Sequence, residues 1–274
     1  MNDTQHRALR AWRRHGWNSI VLSLILGLSY LTLIGLASIL LGLPGMILGI
    51  MLLIVIPQVA LAVIQRQALK LVRAREPTEE EADRFQGVLT RLDLTHAPED
   101  IRFEVFSRPR PTAAIINSNG NGIQILVSES LLSLVDEVQA ATVIAHELGH
   151  HYCPNNWFLQ WVMMPTKFFM QMLTLPHKYG RPGRLVAGVL RGLFLPFEWL
   201  FVMSQRENER CADAFIVALN GDVGAFCALL TSLLREHTYI DEAHGRKPFA
   251  RDRNGPLRTH PSINERIAML RRLA

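Results

Sequence analysis

The segment Ala145-His-Glu-Leu-Gly-His-His151 is an H-E-x-x-H motif inside a pattern that predicts a helix. Positions i and i+4 share one helical face, so His146 and His150 can bind one metal ion together. Glu147 lies about 100° round the helix from His146, within reach of a water at that metal. Neutral imidazoles suit zinc. The pattern therefore predicts a zinc site with Glu147 as the catalytic base.

The motif is short, and an exposed helical face with two histidines would also match it. The residues before it favour the metal site, because they are apolar at helical spacing and predict a largely buried helix. A buried imidazole needs a partner, and a metal ion supplies one. These apolar residues are Val135, Val138, Ala141, Val143 and Ile144.

A third ligand is expected about 60 residues further on, in Arg206-Glu-Asn-Glu-Arg-Cys-Ala-Asp-Ala214. Glu209 and Asp213 are again i and i+4 on one helical face. Glu209 can ligate zinc, while Asp213 can accept the outer N–H of a ligand histidine and hold its tautomer. Ala212 is small enough to let two helix backbones approach. An acid-rich solvated helix is the alternative interpretation, and the paired motif argues against it.

The N-terminal region predicts a transmembrane helical hairpin over residues 20–65. No charged residue or histidine occurs from Ile20 to Ile64, and a single helix of that length would far exceed a bilayer core of about 30 Å. Gly42-Leu-Pro-Gly45 predicts a break between helices at 20–42 and 46–65. Pro57 is expected to kink the second helix. A signal peptide is disfavoured because the first apolar run is too long and a second follows at once.

Basic residues bracket this hairpin and account for much of the net charge of +5. They occupy a cytosolic basic N-terminus at 1–19 and a basic linker at 66–77, as the positive-inside rule predicts. Both ends of the hairpin and the remaining domain, 78–274, should therefore face the cytosol. We expect no nucleic-acid partner, since no separate basic patch occurs. Three cysteines without C-x-x-C spacing argue against a disulfide framework.

Two later apolar stretches lie within residues 157–203. They carry Lys167 and Pro165 in the first, and Arg191, Glu198 and Pro196 in the second. A charge at mid-span costs about 2.5–3.5 kcal/mol on the insertion scale. We therefore expect amphipathic helices that pack on the domain or lie against the membrane, rather than independent spans.

The overall pattern predicts an α+β fold, mainly helical, with a small antiparallel sheet. Thr78-Glu-Glu-Glu81 is typical of a capping box that opens a helix to about Leu94. Strands are expected at 101–106, 113–116 and 123–127, the last two joined by a polar, glycine-rich connector. Further helices are expected at 128–135, 136–151, 204–219, 223–236 and 262–273, with a loop at 245–261.

Three motifs in this order resemble the HtpX and CAAX prenyl endopeptidase family of membrane zinc metallopeptidases. They are His146-Glu-Leu-Gly-His150, Glu209-x-x-Ala-Asp213 and Thr259-His-Pro-Ser-Ile-Asn-Glu-Arg-Ile267. The resemblance covers roughly residues 75–270 and implies a zincin fold of the gluzincin type. It also implies one zinc ion per chain, with Glu209 as third ligand and Asp213 beside it.

The same resemblance implies protein or peptide substrates, chiefly membrane or membrane-proximal proteins. The region 113–127 is similar to a strand hairpin of the family, whose edge strand pairs with the substrate backbone. The chain has Thr112-Ala-Ala114 where members often have Asn-Ala-Phe. His260 is a candidate for stabilising the oxyanion, with a structural loop role as the alternative.

Two other functions are alternatives to a membrane-anchored zinc endopeptidase. A metal-stabilised membrane adaptor would keep the site without turnover, but a purely structural site has no use for Glu147 as a base. An intramembrane site-2-type protease also uses H-E-x-x-H. That class is disfavoured because Asp136 and Glu137 open the motif helix and no Leu-Asp-Gly follows.

Overall fold

The computed structural model describes residues 3–60, 63, 73–94, 101–117, 122–153, 156–172, 180–219, 221–243 and 260–274. Part of the predicted basic linker, the strand connector and most of the predicted loop at 245–261 lie outside these residues. The described helices are α1 (Asp3–Ile50), α2 (Glu79–Arg91), α3 (Glu129–Leu134), α4 (Glu137–Tyr152), α5 (Asn156–Met172), α6 (Gly180–Ala218), α7 (Val223–Ala243) and α8 (Ile263–Leu273). The strands are β1 (Ile101–Phe106), β2 (Ala113–Asn117) and β3 (Ile123–Ser128).

The predicted break in the N-terminal apolar region falls at Gly42. This residue has φ 65° and ψ −150°, a backbone conformation that glycine adopts without a steric penalty. A Cβ placed on Gly49 would lie 3.2 Å from a side-chain carbon of Ile34. Residues 15 apart in a straight helix would be separated by about 22 Å, so the chain turns back on itself near Gly42.

A π-helical turn, Met51–Val55, comes just before Pro57, where the sequence predicts a kink. The N–H of Ile56 donates to the carbonyl of Met51, which is the longer hydrogen bond of that geometry. By length and composition, the helical segment Asp3–Ala60 is the one in the described chain that could cross a membrane.

The sheet is mixed, which corrects the expectation of an antiparallel one. β2 pairs with β3 antiparallel, whereas β1 pairs with β3 in parallel, so the order is β1-β3-β2. β3 takes the centre because it is the most apolar strand, with Ile123, Ile125 and Val127 buried. β1 carries partly exposed Arg102 and Glu104 and therefore lies at an edge.

Capping boxes set the beginnings of three helices. Thr78 accepts from the N–H of Glu81, whose carboxylate accepts from the N–H of Thr78, as predicted. Asp136 opens α4 and Ser262 opens α8 in the same reciprocal way. Each box satisfies two N–H groups that the first helical turn leaves unpaired.

α6 is one continuous helix of 39 residues, although the sequence predicted a separate apolar stretch before a helix at 204–219. It runs antiparallel to α1. His15 meets Glu207, Ser19 meets Ser204, and Tyr30 stacks on Phe197. The first half of α6 therefore lies beside the apolar part of α1, and its second half lies beside the basic N-terminal part.

Two hydrophobic cores result. The larger core joins the sheet to α2, α4, α7 and α8, and it also includes Ala8 of α1. Ala8 of the N-terminal segment is thus packed into the larger core. The smaller core joins α1, α5 and α6 and contains Leu26, Met163 and Val202.

Candidate metal centre

α4 holds the H-E-x-x-H motif against the larger core. Ala145 and Leu148 are fully buried, which fixes the rotation of the helix. His146 and His150 share the opposite side, with ring centroids 4.6 Å apart. The spacing that predicted a common face for the two imidazoles is therefore realised in three dimensions.

α6 approaches α4 at backbone contact. A Cβ on Gly149 would lie 2.7 Å from the Cα of Ala212, so no larger residue fits at Gly149 without moving a helix. Ala212 is completely buried, as expected from its small size. This close approach brings Glu209, one turn earlier on α6, against the two histidines.

The donor atoms converge on one point. Nε2 of His146 lies 3.7 Å from one carboxylate oxygen of Glu209, and Nε2 of His150 lies 3.5 Å from the other. One ligand atom from each of the three residues falls within 4.8 Å of the other two. Two atoms bound to one tetrahedral zinc at about 2.0–2.1 Å would be about 3.3 Å apart. The set of two imidazoles and one carboxylate therefore fits zinc in chemistry and in spacing.

Asp213 lies beside His146 and also binds Arg266, to which the sequence had assigned no role. Nδ1 of His146 lies 3.1 Å from Asp213, although the N–H is not aligned for a regular hydrogen bond. Arg266 of α8 donates to both oxygens of Asp213 at 2.8 and 2.5 Å. A further nitrogen of Arg266 lies 3.6 Å from Glu209. One buried cation thus lies beside two buried carboxylates at the candidate metal ligands.

Asn208 is a second residue that sequence reasoning missed. Its Nδ2 lies 3.2 Å from Nδ1 of His150, while its buried Oδ1 has no hydrogen-bond partner among the described residues. Exchanging the amide oxygen and nitrogen lets Oδ1 accept the N–H of Nδ1 and leaves Nε2 free for a metal. We assign that orientation. Asn208 could have been identified from the sequence because it directly precedes Glu209.

His260 lies at the mouth of the site. Its Nδ1 is 3.0 Å from a carboxylate oxygen of Glu209, and its side chain is half exposed. Burial alone would raise the pKa of Glu209. Contacts with His260, His150 and Arg266 instead hold that pKa well below its usual range. Glu209 is therefore a carboxylate at neutral pH, as a metal ligand must be.

Burial lowers the pKa of His150 to about 4, so this imidazole is neutral and able to ligate. Burial also raises the pKa of Glu147 to about 7. A carboxylate with a pKa near neutrality is suited to exchange protons during a reaction at physiological pH.

A cavity of about 370 Å³ opens in front of these groups. The edge of the sheet contributes Thr112 and Ala113 to one wall, and the metal-site residues form the floor. The remaining wall is largely apolar and comes from α3, α4, α7 and α8. It includes Leu131, Val143, Phe226, Leu230, Leu233 and Ile263.

This arrangement of a histidine helix, a glutamate helix and an edge strand along a cleft is typical of metallopeptidases. Residues 76–274 match the family model described as Peptidase family M48. The chain belongs to peptidase family M48, which confirms the resemblance found in its motifs.

Curated relatives of the chain carry the name "Protease HtpX homolog". One from Desulforapulum autotrophicum is 33% identical over 82 residues, which cover 30% of this chain and 26% of that protein. One from Dictyoglomus thermophilum is 26% identical over 224 residues, covering 74% and 73%. Among solved structures, the crystal structure of S. mikatae Ste24p aligns at 16% identity with a TM-score of 0.48. It covers 95% of this chain and 66% of that one.

Proposed function

We propose that the protein is a membrane-anchored zinc endopeptidase that hydrolyses peptide bonds of membrane or membrane-proximal proteins. The observation that carries the proposal is the convergence of His146, His150 and Glu209 beside Glu147 at the floor of an open cleft. Family membership supports peptide hydrolysis as the reaction.

His146, His150 and Glu209 are the proposed ligands of one zinc ion. When bound, zinc supplies a Lewis acid that polarises the scissile carbonyl and activates water near neutral pH. Glu147 takes a proton from the attacking water and later delivers it to the leaving nitrogen. His260 steadies Glu209 through Nδ1 and faces the cleft, where its ring can donate to the developing oxyanion.

Asp213, Arg266 and Asn208 are proposed to position the ligands. Asp213 orients His146, and Arg266 keeps Asp213 ionised. Asn208 sets the tautomer of His150. Such outer contacts hold imidazoles in the orientation that a metal requires.

The substrate is proposed to bind as an added strand along β2. The outer edge of β2 pairs with no strand in the described chain, and its first residue lines the cleft. Main-chain hydrogen bonds along such an edge tolerate many sequences. The apolar wall at Phe226 and Leu230 favours an apolar side chain next to the cleaved bond.

The proposed anchor is the hairpin at 20–65, with both ends on the cytosolic side. The turn at Gly42 and the basic residues before Ile20 support this topology. α5 and the first half of α6 pack on the same part of α1. Their outer residues Leu185, Val189 and Leu193 are exposed. We therefore propose that this second pair of helices enters the bilayer beside the hairpin.

Zinc content and cleavage of a reporter peptide together test the proposal on detergent-purified full-length protein. Wild type should hold about one zinc per chain and cleave. Glu209→Gln should lose zinc, whereas Glu147→Gln should keep zinc and lose cleavage by about 10²–10⁴-fold. Glu207→Gln is a matched control, because it makes the same change in a buried carboxylate two residues from Glu209.

Zinc retained in Glu209→Gln would overturn the ligand assignment. If the wild type instead bound zinc at full occupancy but cleaved no membrane-protein fragment, the adaptor would be favoured.

A further inference from the structure

A second cavity, of about 820 Å³, lies outside the metal centre and is strongly basic. It opens between the N-terminal part of α1, the second half of α6 and α8. We call it the basic groove. Its charged or titratable lining residues are Arg10, Arg14, His15, Arg210, Glu265 and Arg272.

The carboxylates near the basic groove are already engaged. Glu265 accepts from the N–H of Ser262 at 3.0 Å as part of the α8 capping box. Glu207 accepts from Asn18 and contacts His15 at 2.8 Å, and it also pairs with Arg210. Among the described residues, neither carboxylate forms an ion pair with Arg10, Arg14 or Arg272.

Arg10 and Arg14 therefore present positive charge that no direct ion pair among the described residues offsets, and the groove holds more arginines than carboxylates. Both are exposed, and neither forms an ion pair with a described carboxylate. They lie one helical turn apart on α1, so both guanidinium groups project from one face. Arg272 faces them from α8, where its Nε donates to the carbonyl of Ala268. A guanidinium fork of this kind matches a phosphate group with two parallel hydrogen bonds.

The position of the groove along α1 indicates the source of the phosphate. Arg14 precedes the first residue of the apolar run, Ile20, by six positions, which is about 9 Å of helix. The headgroup region on each side of a bilayer core is about 5–8 Å thick. Trp17 lies between them and is 63% exposed, as is typical of residues at a membrane interface.

We propose that the basic groove binds the phosphate of an anionic phospholipid headgroup at the membrane surface. The proposal rests on the membrane anchoring proposed above, because the anchor places the groove at headgroup level. The cytosolic leaflet carries anionic lipids and attracts basic residues at this depth. Binding there would hold α1 and α8 together beside the membrane.

The test is a lipid titration of zinc-loaded, full-length protein in neutral detergent, followed by native mass spectrometry. Phosphatidylglycerol should bind wild type more tightly than phosphatidylcholine. Arg10→Gln/Arg14→Gln should weaken phosphatidylglycerol binding about thirtyfold, since each arginine near an anionic surface contributes about 1 kcal/mol. Arg7→Gln/Arg13→Gln is the matched control, because it removes two exposed charges from the same helix outside the groove.

Arg272→Gln is a second variant, on a different helix, and should also weaken the binding of phosphatidylglycerol. Thermal unfolding of every variant separates loss of the site from loss of the fold. An equal loss of phosphatidylglycerol binding in Arg7→Gln/Arg13→Gln would overturn the groove as the binding site, because the binding would then depend only on the total charge of the helix.

Two competitors identify the source of the ligand. Excess inorganic phosphate that displaces phosphatidylglycerol completely would overturn a lipid site in favour of a free anion. A poly-glutamate peptide that binds tightly with the same variant pattern, when phosphatidylglycerol does not, would assign the groove to an acidic protein segment.

Failure here is distinguishable from failure of the proposed function. Glu147→Gln should bind phosphatidylglycerol as wild type does, although it cleaves nothing. A wild type that cleaves but shows no lipid preference would overturn the basic groove alone. Extraction of the chain from cell membranes by alkaline carbonate would overturn the anchor on which the groove depends.

Discussion

The second half of α6, around Glu209, and its first half, around Leu193, lie in two contrasting regions. The region around Glu209 buries several charged groups, each within reach of an opposite charge or a proposed metal. The region around Leu193 leaves large apolar side chains exposed. Every exposed large apolar residue of the described chain lies at 17–63, at Trp161 or at 185–199. One helix therefore serves both a buried polar site and an apolar exterior.

The proposed membrane location would account for this contrast, because the two regions would then lie in different media. In water, exposed Leu185 and Val189 would be unfavourable, whereas lipid accepts them. Arg191 and Glu198, which disfavoured a membrane location from the sequence, pair at 3.3 Å. A paired charge on one helix makes entry into a bilayer less costly than two isolated ones.

The largest expected effect comes from breaking the charge balance at the metal centre. Arg266→Met would leave the buried carboxylates of Asp213 and Glu209 without their cation. Removing one partner of a buried ion pair typically costs about 3–5 kcal/mol. We expect loss of zinc and a lower thermal midpoint. Arg271→Met, on the exposed side of the same helix, should change neither quantity; equal losses in both variants would contradict this role.

A charge on the outer face of the first half of α6 should destabilise the protein nearly as much if lipid surrounds this face. Leu193→Arg, at a position 67% exposed, is expected to cost about 2.5–3.5 kcal/mol in a bilayer. Gln86→Arg on exposed α2 should be neutral within about 0.5 kcal/mol. Thermal unfolding in lipid nanodiscs measures both. An unaffected Leu193→Arg would place the first half of α6 outside the membrane.

The distance to a neighbouring helix should decide how a glycine substitution changes stability in the two regions. Gly149→Ala places a Cβ 2.7 Å from the backbone of Ala212 and should destabilise by about 1–3 kcal/mol. Gly188→Ala meets nothing within 4 Å and should stabilise by about 0.5–1 kcal/mol through helix propensity. The thermal unfolding midpoints of both variants test the packing of α4 on α6. If Gly149→Ala were also stabilised, the close approach of the two helices would be excluded.

The last expected effect is the pH dependence of cleavage, which leaves the fold unchanged. The proposed role of Glu147 as a base requires its carboxylate form, and burial raises its pKa to about 7. The rate should therefore fall as pH drops through this pKa, and a bound cation would move the midpoint lower by favouring the charged form. The slope should approach tenfold per pH unit. A kcat/KM that stays constant from about pH 7 to 5 would remove Glu147 as the titrating base.

Zinc content measured over the same pH range is the control for metal loss. His150 has its pKa lowered to about 4, so its protonation should not displace the metal until lower pH.

Much of the site could be predicted because its spacing is local. A helix repeats every 3.6 residues, so His146 and His150, or Glu209 and Asp213, share a face wherever the helix packs. The same holds for the capping box at Thr78 and the break at Gly42, which depend on neighbouring residues alone. These features need no knowledge of the rest of the chain.

Only the tertiary structure decided which distant residues meet. Arg266 reaches Asp213 across 53 positions, and His15 reaches Glu207 across 192. The parallel pairing of β1 with β3 and the alignment of α6 with α1 are of the same kind. Periodicity indicates which face of an element is apolar. The partner of that face depends on the packing of all elements together, which no local pattern contains.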